Sequence, residues 1–258
     1  MIDVRRILDL GRRSSARVGV GLPTALLADA RRKLAEQHCE LKVESYDDPH
    51  LMVLALRNGI IDAAVRGTMS SAKTLGELKT EFDLKEVMRT AILEDSRGKP
   101  FLLTPVGIDE GTDLESRLRL VLSTLSYFSA AGWKLEVAVL SKGRAEDRGR
   151  SAEVAESLED GEKLVQRLRK DCLRAEHRTI LLEDAVAKAD LVVAPDGVSG
   201  NLIFRAIHFV GGGRAYGAPV VNMKKVFVDT SRAKSDFMDP ILLAAGLVSI
   251  KAGPRKRV

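Results

Sequence analysis

Short runs of β-branched and apolar residues alternate along this chain with longer stretches whose apolar positions recur every three or four residues. "RVGVG" (17–21) predicts a strand, and "ALLADARRKLAEQ" (25–37) a helix with Leu26, Leu27, Ala30 and Leu34 on its apolar face. "ELKVES" and "IDAAVRG" predict strands on either side of the helix "DPHLMVLALRNG". Pro49 near the first turn of that helix and Gly59 after its last give the expected asymmetry of helix ends. Repetition of strand, helix and strand implies an α/β fold with mostly parallel sheets and helices on both faces.

The pattern changes near residue 85. "VMRTAILED" and "PFLLTPVG", separated by "SRGK", predict a hairpin and therefore an antiparallel pair. A long helix follows in "DLESRLRLVLSTLSYFSAAG", opened by "TDLE" and stopped by Gly132. Next come the strand "KLEVAVLS", the polar loop "KGRAEDRGRS" and the helical stretch "AEVAESLEDGEKLVQRLRK", which Gly161 is expected to weaken. "DLVVAPD" and "APVVNMKKVFVDT" each predict one strand, and a last helix runs from about Asp236 to Ile250. Two lobes with a cleft between them suit this order: residues 1–90 plus 230–258 in the first, 91–229 in the second.

Composition narrows the class. With 258 residues, 45% hydrophobic and 30% charged, the chain can bury a core and is not disordered. Its net charge of +5 comes from 41 basic and 36 acidic residues that mostly interleave, with positive excess in "RRILDLGRRSSAR" and "GPRKRV". Without a recognisable module or base-stacking aromatics, that excess implies no specific nucleic-acid partner. Cys39 and Cys172 lack metal-ligand spacing, and none of His38, His50, His177 and His208 has a ligand partner at helical spacing, so no metal is expected. No stretch has the length and apolarity of a membrane helix or a signal peptide, which points to a cytoplasmic protein with no membrane partner.

Three loops that follow strands are rich in small hydroxylated residues or glycine: "RGTMSSAKT" (66–74), "LSKGR" (140–144) and "DGVSGN" (196–201). Loops at the carboxyl ends of strands share one edge of an open sheet. Their chemistry suits oxyanions: Thr68, Ser70, Ser71, Ser141 and Ser199 donate from hydroxyls, Gly200 exposes backbone, Asn201 offers an amide, and Arg66 and Lys142 bring charge. Each is equally readable as a turn with a helix cap. A fourth stretch, "VDTSRAKSDFMD" (228–239), sets Thr230, Ser231 and Arg232 beyond a strand and Asp236 and Asp239 at the start of the last helix. An Arg and a Ser beside a carboxylate supply charge stabilisation and a general base; Asp236 and Asp239 are equally readable as macrodipole partners.

"ADLVVAPDGVSGNLIFRAIHFVGGGRAYGAPVVNMKKVFVDTSRAKS" (189–235) resembles the C-terminal part of phosphate acetyl/butyryl transferases, in the order "PD", "SGN", "GG", "AYG", "KV" and "SRAKS". "DAAVRGTMSSAKTL" and "VAVLSKG" resemble two further loops of those enzymes, and "DGVSGN" is similar to the phosphate acyltransferases of the same fold. The compact length and the "SRAKSDFMDP" ending most resemble the MtxX family, methanogenesis marker protein 4, a group of archaea named for methyl transfer.

The resemblance implies a two-lobed isocitrate/isopropylmalate-dehydrogenase-like (phosphotransacetylase-like) fold and a homodimer. It implies a small phosphorylated or acyl substrate with a CoA-type thiol as co-substrate. A carboxylate, Asp239 ahead of Asp236, would take the thiol proton while Ser231 and Arg232 stabilise charge. Arg66, Thr68, Ser70, Ser71, Ser141, Lys142, Ser199, Gly200, Asn201 and Thr230 would hold the phosphate. The chain departs from the acyltransferases in three places: Gly76 stands where they carry an Arg, the segment before Asp190 is short, and strict spacing puts their carboxylate at Met238. Two further readings therefore stand beside acyl transfer, a methyltransferase or accessory subunit of one-carbon metabolism and a non-catalytic binding protein.

Overall fold

The computed structural model describes residues 2–171 and 173–252; Cys172 and the basic tail "GPRKRV" singled out above lie outside these. The chain divides into two compact units, Met88–Ala215 and residues 3–87 with 216–252. The sequence reading assigned 91–229 to the second lobe. The structure places 216–229 with the first and last segments, because the strand Val226–Asp229 pairs there.

The unit formed by the chain's two ends holds β1 (Arg17–Val20), β2 (Lys42–Ser45), β3 (Ala63–Val65), β10 (Val226–Asp229) and, from Tyr216 on, β9 (Arg214–Pro219), in the order β2-β1-β3-β10-β9. β2, β1, β3 and β10 run parallel, and β10 pairs antiparallel with β9. "APVVNMKKVFVDT", read as one strand, is in fact the end of β9, a turn and β10. Asn222 in the turn donates from its amide to the Glu86 carbonyl at 2.8 Å. Crossovers are supplied by α2 (Thr24–Glu36), α3 (Pro49–Arg57) and α4 (Ser71–Glu81). Met52, Val53, Leu56 and Leu78 of α3 and α4 close one core with Ala64 and Phe227 of the sheet.

α9 (Met238–Lys251) is apolar all round and buried from Asp239 to Leu247, packing on β1, β3 and β10. It also meets α1 (Val4–Arg12), a helix that the sequence reading took only for a charged end. Two glycines allow that contact: a Cβ on Gly11 would collide with the Leu242 carbonyl oxygen, and one on Gly246 with the Ile7 carbonyl oxygen.

The other unit orders its strands β4-β5-β8-β6-β7: β4 (Ala91–Glu94), β5 (Pro100–Thr104), β6 (Val137–Leu140), β7 (Ala175–Thr179) and β8 (Leu191–Val193). The expected hairpin is β4 against β5, and the remaining pairs are parallel. α5 (Leu114–Ser129) starts with a capping box between Asp113 and Ser116. α6 (Ala152–Lys170) runs unbroken through Gly161, and α7 (Leu182–Lys188) and α8 (Gly197–Arg205) complete the crossovers. α8 continues as a π-helical turn, Ala206–Val210. Among the described residues no helix is long and apolar enough to cross a membrane.

Candidate functional site

β1 and β3 are neighbours whose connections leave in opposite directions along the sheet, and this is where an open α/β sheet leaves a crevice at its carboxyl edge. The backbone there is drawn together tightly. Gly67 has φ +65, and a Cβ on it would collide with the Gly21 carbonyl oxygen, which accepts from the Thr68 N–H at 2.9 Å. Thr230, buried at the end of β10, donates from its hydroxyl to the Gly67 carbonyl at 2.9 Å, so the 66–71 and 230–232 loops are tied to each other.

Arg66 lies beneath these loops and is only 4% exposed. Its guanidinium is committed to the Asp229 carboxylate and to the carbonyls of Thr230 and Met69, the last at 2.5 Å. Read from sequence as a phosphate ligand, it is placed here as an internal tie. Ser70 is the N-cap of α4, accepting from the Lys73 N–H, and half-buried Ser71 is the first helical residue. Ser231 accepts from the Ala233 N–H at 3.2 Å in a turn whose next residue, Arg232, is exposed. Among the described residues Arg232 has no ion-pair partner.

The two candidate carboxylates differ. Asp236 is exposed, pairs with Lys33 at 2.9 Å and accepts from the Met238 N–H at 2.9 Å. Partial desolvation pushes its pKa up, but Lys33 and that N–H together hold it below the ordinary aspartate value. Asp239 is 8% exposed in the first turn of α9.

In the other unit β5, β8 and β6 are parallel neighbours, so their following loops share one edge. "DGVSGN" is not an open anion cradle. Asp196 caps α8 by accepting from the Ser199 N–H at 2.7 Å, and its other oxygen pairs with Lys142 at 3.0 Å. Burial raises the Asp196 pKa, yet the N–H and the ammonium leave it below its ordinary value. Gly197 and Gly200 are small because α8 presses on the loop after β5: Cβ atoms there would collide with the carbonyl oxygens of Gly107 and Pro105. Asn201 donates to the Val106 carbonyl at 3.0 Å. That loop is itself held by buried Glu110, which pairs with Arg89 at 2.6 Å and accepts from the N–H groups of Val106 and Gly107. Desolvation holds the Glu110 carboxyl above its ordinary range despite Arg89.

Ser141 is buried at the end of β6, with its hydroxyl 2.6 Å from His177 Nε2 and 3.0 Å from the Ser157 carbonyl. Lys142 beside it reaches Glu153 at 2.7 Å as well as Asp196. Glu153 first, then Asp196, hold its ammonium above the ordinary lysine value against partial desolvation. Sequence reasoning missed His177 and Glu153, which reach the loop only through tertiary packing.

It also missed the meeting of His50 on α3 with Glu77 and Glu81 on α4. His50 Nδ1 lies 2.9 Å from Glu77, and Glu81 pairs with Arg57 at 2.6 Å. Those ion pairs account for the group as a staple between two helices.

The fold defined by these elements is that of the phosphotransacylases and of certain phosphate-ester dehydrogenases. The chain is similar to a branched-chain phosphotransacylase from Enterococcus faecalis, with TM-score 0.69 at 16% identity, covering 92% of this chain and 99% of that one. A phosphotransacetylase from Streptococcus pyogenes gives 0.67 at 13% identity, over 97% and 99%. A 4-hydroxythreonine-4-phosphate dehydrogenase from Klebsiella pneumoniae gives 0.56 at 11%, over 95% and 86%. No protein-family model matches the chain.

In sequence it is 37% identical to the "putative methyltransferase mtx subunit X" of Methanosarcina mazei, over 92% of this chain and 85% of that protein. The protein of the same name in Methanosarcina acetivorans is 40% identical over 88% and 82%. The chain belongs to this mtx subunit X family.

Proposed function

We propose that the chain is a phosphate acyltransferase-like transferase acting on an acyl phosphate or a related phosphorylated metabolite, with a CoA-type thiol as co-substrate. The observation that carries this reading is the contrast between two arginines on one sheet edge. Arg66 is spent on Asp229 and the backbone, whereas Arg232 projects as an exposed guanidinium without an ion-pair partner among the described residues. A planar two-pronged donor in that position suits a phosphoryl or carboxyl oxygen pair. Ser231 beside it donates to the same group, and Thr68, Ser70 and Ser71 line the adjoining loop. Asp239, buried in the first turn of α9, takes the thiol proton, and exposed Asp236, already paired with Lys33, is the alternative.

A second reading is methyl transfer or an accessory role in it. It is favoured by the names of the family members at 37–40% identity. Open space beside Gly76, where the acyltransferases carry an Arg, favours a third, ligand binding without catalysis. One experiment separates them, because a ligand that binds only the native state raises its melting temperature. Acetyl phosphate and CoA are expected to stabilise the protein. Stabilisation by adenosylmethionine or a methylcorrinoid alone would replace acyl transfer with methyl transfer. Stabilisation by acyl phosphate without turnover in the presence of thiol would leave the binding protein.

A further inference from the structure

Three unfavourable local features converge on Ser141. β7 is bulged opposite β6, its register passing from Val139↔His177 to Leu140↔Thr179, so that Arg178 is left unpaired in the ladder. Bulges of this kind re-aim a side chain. Thr179, β-branched, is held at φ +52, a conformation that such residues rarely adopt. Gly161 stands in the middle of α6, where alanine is the better helix former.

Each has its explanation at one point. The bulge sets His177 Nε2 2.6 Å from Ser141 Oγ, and the Thr179 carbonyl accepts from the Ser141 N–H at 2.7 Å. A Cβ on Gly161 would lie 2.5 Å from Ser141 Oγ and 2.7 Å from His177 Nε2, so only glycine lets α6 descend on the pair. Ser157, one turn earlier on α6, accepts from the Ser141 hydroxyl with its carbonyl and from the Lys142 N–H with its own hydroxyl, both at 3.0 Å. The output of this network is the position of Lys142, whose ammonium stands at the start of α8 beside Asp196.

We propose that His177 is a positioning residue: through Ser141 it fixes the backbone of the Lys142 loop and so sets where that ammonium meets the substrate's anionic group. The role of Lys142 toward an anion rests on the resemblance of the "VAVLSKG" loop to a loop of the phosphate acetyl/butyryl transferases, whereas the control of the loop by His177 does not. Two readouts keep them apart.

The first is a double-mutant cycle on the affinity for inorganic phosphate, which isolates coupling between two side chains. His177→Ala should weaken phosphate about tenfold in the native background and leave it unchanged in Lys142→Ala, and His177→Gln, which keeps a hydrogen-bonding nitrogen, should recover most of the loss. The second is amide exchange. His177→Ala should speed exchange of the Lys142 N–H at least tenfold while the amides of β8 keep their protection, and Gly161→Ala should do the same by pushing the pair apart. Equal phosphate losses in both backgrounds, or unchanged exchange at Lys142, would overturn the proposal. If the wild-type protein binds no phosphate, the substrate role of Lys142 falls, and exchange alone decides whether His177 positions the loop.

Discussion

Arg66 and Arg232 follow neighbouring strands, and they differ in what they touch: Arg66 is buried and Arg232 is exposed. Arg66 is nearly inaccessible and paired with Asp229, so Arg66→Ala removes a guanidinium that buried Asp229 and the Thr230 carbonyl share. That should cost about 3–5 kcal/mol of folding stability, visible as a lower denaturation midpoint. Asp196 is the matching case in the other unit. Asp196→Ala removes the α8 cap and should cost about 1 kcal/mol. Because the Asp196 pKa is lowered on folding, the stability it adds is fully present above the ordinary aspartate value and is lost as pH falls through its folded value. Denaturation from pH 7 down to pH 2 checks this: the gap between wild type and Asp196→Ala should close at the acid end. Neither pairing was legible in sequence, because a guanidinium or carboxylate in a glycine- and serine-rich loop looks the same whether its partner is a ligand or a residue over 50 positions away.

Most elements were legible in the sequence, and the exceptions have physical causes. Buried parallel strands such as "LVV" in β8 and the β4–β5 hairpin carry their own signal, continuous apolar runs with turn residues between them. α1 was missed although Val4, Ile7, Leu8 and Gly11 fall on one face, because arginines dominate the remaining positions. β9 and β10 were merged because the turn between them contains neither glycine nor proline and is held instead by the long-range bond from Asn222 to Glu86. Gly161 was read as a weak point in a helix, yet α6 is continuous and the glycine serves a contact. The same logic predicts the behaviour of Gly246. Alanine there is the better helix former, but its methyl meets the Ile7 carbonyl oxygen of α1. Gly246→Ala should therefore lower stability by about 1–3 kcal/mol in thermal or chemical denaturation, where propensity alone would raise it.

For the whole molecule, the mtx subunit X family and the phosphotransacylase fold leave two expectations open, assembly and chemistry. α8 and its π-helical extension expose Val198, Leu202, Phe209 and Val210, with Val210 86% accessible. An apolar surface of this kind is where the expected homodimer would form. The solution mass should be that of two chains, and Leu202→Asp should reduce it to one; a single-chain mass for the wild type removes the expectation. The chemistry proposed above turns on Arg232. Replacing it with alanine should leave the melting temperature unchanged, since it is exposed and has no ion-pair partner among the described residues, and lower the rate of thiol-dependent acetyl phosphate consumption by about two to three orders of magnitude. That loss corresponds to about 2–4 kcal/mol for a charge-assisted contact to the substrate's anionic group that is made on binding and kept in the transition state. Arg232→Lys should recover only part of it, because a point charge lacks the planar fork. The decisive measurement is acetyl phosphate affinity by calorimetry on wild type and Arg232→Ala at matched stability. The proposed function predicts binding that the substitution weakens by about two orders of magnitude, and equal affinity in the two proteins would contradict it.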